Sequence, residues 1–313
     1  MNKTIAYFLL LLTVLLLISA SVVFQQTGKH FSTPGINRQY YKIVSLTIPD
    51  TLSFAGERVP LDIFYVREAL DKELSVNTYW HSSTLQLLKR ANRYFPVIDT
   101  ILKAEGVPSD FRFMPLIESG LENKTSPAGA KGFWQLLKGT AKEYGLEVDR
   151  EVDERYNLRK STHAACKYLK KSYEKFNNWT LVAASYNAGQ SRLKKLMEKQ
   201  KCNSFYDMLV SDETSRYIYR MLAFKLIFEN PEQYGFYLSE DEKYPPVPVH
   251  YVQVSGKVKS WGDFAHEHGI NYKLLKYFNP WLRQPYLKNR KKKTYFIAIP
   301  DSPFNLTDEK LSK

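Results

Sequence analysis

The sequence predicts a mainly α-helical fold, followed near the C-terminus by a small module that mixes strands and helices. Between residues 61 and 236, apolar residues recur at spacings of three and four, as in Leu85, Leu88 and Ala91. This is the pattern of helices that bury one face. No strand-like alternation interrupts the region. Apolar residues make up 44% of the chain and aromatic residues 14%, which is enough for a packed core.

Individual helices are predicted from the same spacing and from helix-breaking residues. One helix covers 84–95, and a second lies between Pro96 and Gly106, because proline removes a backbone donor and normally ends a helix. The remaining elements are predicted at 164–176, 181–186 and 215–228 for helices of the main domain, at 261–268 and 273–278 for helices of the module, and at 250–254 and 295–299 for its two strands.

The N-terminal segment predicts export. Ile5 to Phe24 is a run of about twenty uncharged, mostly apolar residues behind Lys3, and a helix of that length just spans a hydrocarbon core of about 30 Å. This favours an uncleaved signal anchor over residues 1–26, while small residues such as Ala20 leave a cleaved signal peptide as the alternative. Residues 27–60 are polar, with recurring Gly, Pro, Ser and Thr, and are predicted to form a stalk.

The chain is strongly basic, with a formal net charge of +13, and its C-terminal part carries much of the excess. Residues 251–313 hold 12 Lys or Arg against 5 Asp or Glu. Such an excess suits nucleic acid, an anionic membrane surface or an acidic polymer as a partner. An exported protein is separated from the nucleic acid of the cell, so no nucleic-acid partner is expected.

The cysteine and histidine residues indicate neither a disulfide scaffold nor a metal site. Cys166 lies in an Ala-rich helical stretch and is expected to be a small core residue, although a bridge to Cys202 stays open in an oxidising compartment. The six histidines are scattered, and no His, Cys and Asp residues show metal-ligand spacing. No metal and no other cofactor is therefore expected.

Glu118 is the first candidate for chemistry, because it ends an apolar run that begins at Phe113. A carboxyl group in such surroundings is costly to ionise, so its pKa is expected to be raised, which suits a general acid near neutral pH. The alternative is a helix-terminal glutamate on the surface. Glu122 is expected to be a solvated charge, and Asp149, Asp153 and Glu154 are expected to form a structural ion-pair turn with the neighbouring arginines.

Glu118 is followed by a series of motifs in a fixed order. They are Glu118-Ser119, then Gly132-Phe133-Trp134-Gln135, then Ser185-Tyr186-Asn187-Ala188-Gly189. These motifs resemble the signature of the lysozyme-like lytic transglycosylase domain, and the resemblance covers roughly residues 95–235. The extended N-terminal lead and the tail module resemble the membrane-bound murein transglycosylase D type.

The resemblance implies a reaction that needs one carboxyl group rather than the pair used by most glycoside hydrolases. Glu118 is implied as the sole acid and then base in cleaving the MurNAc-(β1,4)-GlcNAc bond of peptidoglycan, giving 1,6-anhydroMurNAc ends without consuming water. Peptidoglycan glycan strands are then the partner, and protein partners stay unknown. The implied location is the bacterial cell envelope, anchored in the inner membrane and facing the periplasm.

The resemblance also implies roles for the other motif residues. Tyr186 is expected to hydrogen-bond Glu118 and orient it, unless it is a core tyrosine. Gln135 and Asn187 are expected to bind sugar amide groups, with a helix cap as the alternative for Asn187. Ser119 is expected to donate a local hydrogen bond beside the substrate, and the Gly129–Gly132 loop is expected to approach the saccharide closely. Trp134 is expected either to line a sugar subsite or to pack in the core. Tyr217 is expected to lie near the cleft.

The tail resembles a LysM-like module over residues 248–301, with the Asn279-Pro280 turn as its most specific element. LysM modules bind N-acetylglucosamine polymers through two loops; a packing domain that binds nothing is the alternative. The predicted organisation is thus a signal segment at 1–26, a stalk at 27–60, a lysozyme-like domain at 61–240, this module, and a tail at 302–313. A non-catalytic wall-binding scaffold and a lysozyme-type muramidase remain the alternative functions.

Overall fold

The computed structural model describes residues 43–301, so the predicted signal segment at 1–26 and the tail at 302–313 lie outside the described residues. From Ser45 onward, the described residues form one compact unit. Its helices are α1 (Phe64–Tyr79), α2 (His81–Glu105), α3 (Phe113–Ser119), α4 (Lys138–Glu143), α5 (Leu158–Phe176), α6 (Trp179–Ala188), α7 (Gln190–Gln200), α8 (Asp212–Glu229), α9 (Trp261–Glu267) and α10 (Tyr272–Phe278).

Helices α1 to α8 pack around one apolar core, and this confirms the predicted mainly α-helical fold. The short helix α3 is fixed in it by aromatic contacts: the Phe113 ring lies 5.9 Å from that of Phe95 on α2 and 5.7 Å from that of Phe228 on α8. Such ring pairs add to the burial of apolar area. The helix that carries Glu118 is therefore held between two long helices.

Pro96 does not end a helix, and this corrects the sequence prediction of two separate helices. It lies inside α2, which runs without interruption to Glu105. Pro96 is exposed, so the carbonyl that loses its partner lies on the solvent side of the helix, where water can hydrogen-bond it. The opposite side is held by buried residues such as Phe95 and Ile98, and their packing outweighs the missing hydrogen bond.

The predicted stalk at 27–60 is wrong for its last part. Strands β1 (Ser53–Phe54) and β2 (Glu57–Arg58) form a small antiparallel hairpin that packs on the helical core, with Phe54 only 1% exposed. Glu57 accepts hydrogen bonds from the backbone N–H of Trp179 and of Thr180, at 2.5 and 2.9 Å. It thereby caps the N-terminus of α6, where a negative charge is favourable.

The tail module has the predicted β-α-α-β order. Strands β3 (Val249–Val254) and β4 (Tyr295–Pro300) pair antiparallel, and α9 and α10 lie between them in sequence. Asn279 is fully buried: its amide donates to the carbonyls of Leu275 and Ala298, and its Oδ1 accepts from the Ala298 N–H at 2.8 Å. This side chain ties the end of α10 to β4, which explains the turn noted in the sequence.

The tail module is docked on the main domain through residues 147–156. The Asp153 N–H donates to the Trp281 carbonyl at 2.9 Å, and the Arg283 N–H donates to the Glu151 carbonyl at 2.8 Å. The Arg283 guanidinium lies 4.3 Å from the centre of the Tyr156 ring. Val152 and Tyr156 of the main domain are buried in the apolar core of the module. The two parts therefore share a packed interface at these residues.

Three further observations concern the described range. Within residues 43–301, no helix is both long enough and apolar enough to cross a bilayer. No group of three or more His, Cys, Asp or Glu side chains in that range is placed to hold a metal ion. Cys166 is buried and Cys202 half-buried, and both are free thiols.

Candidate active site

Glu118 lies in the last turn of α3, and the local sequence explains its position. The helix starts with four buried apolar residues, which fix one face in the core. It ends at Gly120, whose left-handed backbone (φ 68°) stops the helix one residue after Ser119. The side chain of Glu118 keeps partial access to solvent but is surrounded by protein on most sides, because α6 and α8 pack beside it.

The surroundings of Glu118 favour its protonated form. Burial raises the pKa of Glu118 from 4.5 to about 7, because the ionised carboxylate loses hydration. The negative charge of Glu213 adds to this effect, whereas the Tyr217 hydroxyl and the Arg220 guanidinium act in the opposite direction. Glu118 has no ion-pair partner within 4 Å among the described residues. The carboxyl group therefore titrates near neutral pH, where it can both donate and accept a proton.

Tyr217 on α8, rather than Tyr186, is the tyrosine that interacts with the Glu118 carboxyl group. Its hydroxyl makes a side-chain interaction that lowers the pKa of Glu118, although its geometry is short of a regular hydrogen bond. Burial raises the pKa of the Tyr217 hydroxyl well above its usual range, so it stays neutral and can donate. The sequence expected this residue only near the cleft.

Tyr186 makes a different bond from the one predicted. Its hydroxyl donates to the backbone carbonyl of Trp134 at 2.6 Å. It therefore holds the loop of residues 129–136, which we call the glycine loop, and does not orient Glu118 directly. Its ring packs edge-on against Tyr168, with centroids 5.2 Å apart. The proximity of Glu118 contributes to the raised pKa of Tyr186, after burial itself. Tyr186 therefore lies at the site but acts on it through the loop.

Trp134 and Ser119 are both buried, in agreement with the core-packing alternative for Trp134 and with the local hydrogen bond expected from Ser119. The Trp134 side chain is fully buried, and its indole N–H donates to the Thr162 hydroxyl at 2.9 Å. Ser119 is 2% exposed, and its hydroxyl donates to the Pro115 carbonyl at 2.9 Å. Neither side chain has a surface or a free donor to offer a sugar in this structure. Trp134 packs the core, and Ser119 closes the last turn of α3.

Gly132 is required by protein packing, and the expected approach of this loop to saccharide stays a prediction. Its φ is +79°, and a Cβ atom there would overlap the carbonyl oxygen of Arg155. Gly129 also has a positive φ, of +80°, but nothing lies within 4 Å of the place where its Cβ would be. The glycine loop therefore packs closely against the backbone of Arg155.

The predicted ion-pair turn at 153–155 is confirmed, and it supports the glycine loop. Asp153 and Arg155 are each 3% exposed. Arg155 donates to both carboxylate oxygens of Asp153, at 2.9 and 2.8 Å, in a two-pronged ion pair. The same guanidinium donates to the carbonyls of Gly129 and Leu136, at 3.0 and 3.2 Å, so it joins both ends of the loop.

Gln135 and Asn187 are half-buried and each retains polar atoms for a ligand. The Gln135 amide nitrogen donates to the carbonyls of Gly132 and Lys124, which leaves its Oε1 as the acceptor. Gln135 also adopts a positive φ of 44°. The Asn187 Oδ1 accepts from the Thr214 hydroxyl at 2.9 Å, which leaves its amide nitrogen as the donor. The geometry thus divides the two amides into an acceptor and a donor.

Glu213 and Arg220 were missed by the sequence analysis. Both lie on α8, four residues before and three residues after Tyr217, and at this spacing helical residues share a face. Arg220 also lies 3.7 Å from the buried carboxylate of Glu73, which accepts a second contact, at 2.5 Å, from Arg216. The helical spacing from Tyr217 is a signal that could have identified both. Glu122 pairs with Arg90 and Lys124 and does not face Glu118.

Comparison with known proteins places two domains on this chain. Residues 96–208 match the model of the transglycosylase SLT domain, and residues 250–303 match that of the soluble lytic transglycosylase C-terminal LysM-like domain. The chain contains an SLT domain and a LysM-like domain. This agrees with the mainly α-helical architecture and the β-α-α-β module described above.

Similar proteins include the membrane-bound lytic murein transglycosylase D of Escherichia coli strain K12 and that of E. coli O6:H1. Each is 31% identical over 240 residues, which is 74% of this chain and 51% of the relative. This chain therefore spans about half the length of these relatives. A putative tributyltin chloride resistance protein of Alteromonas sp. strain M-1 is 28% identical over 131 residues, which is 41% of this chain and 63% of that protein.

Among solved structures, an inactive variant of the lytic transglycosylase Slt from Pseudomonas aeruginosa is similar, with 22% identity and a TM-score of 0.38. The match covers 48% of this chain and 26% of that one.

Proposed function

We propose that this chain is a peptidoglycan lytic transglycosylase in which Glu118 serves as the single acid and then base. The observation that carries the proposal is the state of this carboxyl group: it is desolvated, free of ion pairs among the described residues, and has a pKa of about 7. A group with this pKa donates a proton readily and accepts one afterwards. The SLT domain around it and the E. coli relatives support the same activity.

In the proposed first step, protonated Glu118 gives its proton to the oxygen that links C1 of N-acetylmuramic acid to O4 of N-acetylglucosamine. The C1–O4 bond breaks, and the muramic acid's own N-acetyl carbonyl stabilises C1 from the opposite face. In the second step, the Glu118 carboxylate takes the proton of the C6 hydroxyl, whose oxygen bonds to C1. The 1,6-anhydro ring closes, the carboxyl group is protonated again, and no water is consumed.

The neighbouring residues have complementary tasks in this proposal. The neutral Tyr217 hydroxyl and the Arg220 guanidinium stabilise the carboxylate formed between the two steps, because both favour the charged form of Glu118. The free Oε1 of Gln135 and the free amide nitrogen of Asn187 would bind N-acetyl groups as acceptor and donor. Tyr186 and Gly132 keep the loop in place, so their contribution is to positioning.

The experiment that tests the proposal is digestion of purified glycan strands followed by mass analysis of the products. The wild-type chain should yield 1,6-anhydro ends, and Glu118→Gln should lower the rate by about 10²–10⁴-fold, the usual contribution of general acid–base catalysis. Glu122→Gln is the matched control, because Glu122 lies close in sequence but is engaged with Arg90 and Lys124. Reducing ends would instead indicate hydrolysis, and the absence of any product would indicate a scaffold.

A lysozyme-type hydrolase is the second candidate, and one observation favours it. Glu213 is an exposed carboxylate whose charge acts on Glu118, and a hydrolase would use such a group to position a water molecule. The two reactions differ in their dependence on this residue. Glu213→Gln should abolish a hydrolytic reaction, but it should leave the formation of anhydro ends within an order of magnitude of wild type.

We further propose that the protein acts in the bacterial cell envelope, held at the inner membrane by residues 1–26 and facing the periplasm. The name of the E. coli relatives, which are membrane-bound, and the apolar run from Ile5 to Phe24 support this location. Cell fractionation tests it: the full chain should sediment with the inner membrane, and a chain that begins after residue 26 behind a cleavable signal should be released in the periplasmic extract.

A further inference from the structure

A large groove lies between the main domain and the tail module. Its volume is about 840 Å³, and α2 and the glycine loop form one wall while β3, β4 and the end of α10 form the other. Aromatic side chains dominate its lining; they include Tyr94, Phe133, Tyr251, Tyr277 and Phe296. We call this cavity the interdomain groove. It is distinct from the pocket bounded by Lys257, Lys259, Tyr286, Lys288 and Arg290 in the two loops of the module.

Three aromatic residues in the groove are unusually accessible. Tyr251, Tyr277 and Phe296 are 50%, 53% and 58% exposed. In the β3–β4 pair, Tyr251 lies opposite Ala298 and Phe296 lies opposite Gln253, so both aromatic side chains stand on the same face of the sheet. The other face is the one that carries buried residues such as Ile297. A cluster of exposed aromatic side chains in a concave site is characteristic of ligand binding.

The charges that line the groove are all positive. Arg93, Arg159 and Lys160 line it, and no Asp or Glu does so among the described residues. Arg93 also spans the two walls, because it donates to the Tyr277 hydroxyl at 2.9 Å and to the Pro245 carbonyl at 3.0 Å. Lys160 is paired with Glu154, whereas Arg159 is exposed and has no ion-pair partner in the described range. The groove is therefore complementary to a ligand that carries carboxylates.

The groove is also preformed. Its walls are joined by the backbone hydrogen bonds from Asp153 to Trp281 and from Arg283 to Glu151. A ligand that enters does not have to bring the two domains together, so the entropic cost of binding is reduced. Two of its lining residues come from segments that also contribute to the candidate active site: Phe133 lies in the glycine loop, and Asn123 follows Glu118 by five residues in the sequence.

We propose that the interdomain groove binds a second stretch of the same acidic, N-acetylated glycan that Glu118 is proposed to cleave, beyond the reacting disaccharide. The apolar faces of pyranose rings would stack on Tyr251, Tyr277 and Phe296. Carboxylates of the lactyl groups or peptide stems would meet Arg159. The inference rests on the proposed function for the identity of the ligand. It assigns a role to the exposed face of the β3–β4 sheet, which is separate from the two loops of the module.

Binding to the full chain tests this proposal independently of catalysis. In a Glu118→Gln background, the change Phe296→Ser should weaken the binding of soluble peptidoglycan strands several units long by roughly five- to tenfold, measured by calorimetry, because one stacking contact is lost. Tyr237→Ser is the matched control: Tyr237 is 72% exposed but lies outside the groove. Thermal unfolding of both variants should match the parent, since both side chains are on the surface.

A double variant Tyr251→Ser/Phe296→Ser guards against compensation by the neighbouring ring. The proposal would be overturned if the double variant bound glycan strands as tightly as the parent. It would also be overturned if the double variant lost binding to anionic phospholipid vesicles but kept its binding to glycan. Arg159→Gln should weaken the binding of strands that carry peptide stems and leave that of neutral N-acetylglucosamine oligomers unchanged; equal effects on both would exclude the carboxylate contact.

Activity separates this inference from the proposed function. If the wild-type chain produces no anhydro ends, the proposed function fails, while the binding result for Phe296→Ser still decides the groove. If the groove is correct, the groove variants should raise KM on long strands and leave kcat nearly unchanged, and they should not affect a substrate of two disaccharide units. A merely structural role would lower kcat on both substrates.

Discussion

Glu118 and Asp153 are two acidic residues enclosed by the same domain, and their surroundings are opposite. Asp153 is almost fully buried, but both of its oxygens accept hydrogen bonds from Arg155, and Lys131 lies 3.8 Å away. Glu118 keeps some contact with solvent, yet it has no ion-pair partner in the described range, and burial raises its pKa to about 7. The Asp153 carboxylate is paired with a neighbouring cation, whereas the Glu118 carboxyl group has a pKa of about 7 and therefore titrates near neutral pH.

The difference shows that burial alone does not identify a reactive carboxyl group. A buried charge that is paired and hydrogen-bonded serves the structure, because its ionised state is stabilised on all sides. A desolvated carboxyl group without such a partner can change its protonation state near neutral pH. Arg220, whose charge acts on Glu118, is itself held 3.7 Å from the carboxylate of Glu73. Substitutions at Glu118 and at Asp153 should therefore have different effects on stability and activity.

The largest effect on stability is expected from Asp153→Asn. This change leaves the Arg155 guanidinium buried without its counter-charge, which should reduce the free energy of unfolding by about 3–5 kcal/mol. Asp62→Asn is the control, because the pair of Asp62 with Arg58 is exposed and should be worth less than about 1 kcal/mol. Urea denaturation of both variants measures the difference. Equal losses would contradict the structural role of the buried pair.

Glu118→Gln should stabilise the protein, in contrast to Asp153→Asn. The carboxyl group of the unfolded chain ionises near pH 4.5 and that of the folded chain near pH 7. The folded state therefore carries a cost that appears as the pH rises above 4.5 and is complete above about 7. The glutamine variant lacks this cost, so it should gain about 3 kcal/mol at pH 8 and nothing at pH 4. A pH-independent difference in unfolding free energy would refute the raised pKa.

Gly132→Ala should disturb the contact between the glycine loop and the buried ion-pair turn. The added Cβ would overlap the Arg155 carbonyl, so the loop must move, at a cost of about 1–3 kcal/mol and with a loss of activity. Gly129→Ala has the same positive φ but meets no atom, and it should cost only about 1 kcal/mol. Denaturation and product formation should both rank Gly132→Ala as the more damaging change; the reverse order would contradict the packing.

The smallest effects are expected from the two charges that adjust Glu118. Glu213→Gln removes a charge that raises the pKa of Glu118, so the loss of activity at alkaline pH should begin at a lower pH. Arg220→Gln removes a charge that lowers the same pKa, so the loss should begin at a higher pH. The measurement is the pH dependence of kcat/KM for both variants. Shifts in the same direction would show that these charges do not act on Glu118.

Much of the architecture could be predicted from the sequence, because it depends on local patterns. The helical spacing indicated the mainly α-helical domain, and the order of strands and helices after residue 245 indicated the tail module. Glu118 stood out because a carboxyl group at the end of an apolar helix is costly to ionise. Each of these features depends on residues that are close together in the sequence.

The errors concern long-range contacts, which a local pattern does not contain. The bond from Tyr186 to Trp134 joins residues 52 positions apart, and only the fold decides whether Tyr186 or Tyr217 faces Glu118. Pro96 is tolerated because it happens to face solvent. The composition of the residues before Pro60 predicts a polar stalk, yet Phe54 packs in the core and Glu57 caps a helix 122 positions away.

The turn at residues 153–155 has contacts on two sides, and this has a consequence for how the protein can evolve. On one side, it bonds Trp281 of the tail module; on the other, Arg155 bonds Gly129 and Leu136 of the glycine loop. Removal of the module would expose Val152 and Tyr156 to water beside that loop. Deletion of the tail module alone should therefore be disfavoured, because the SLT domain of this chain would have to cover these residues in another way.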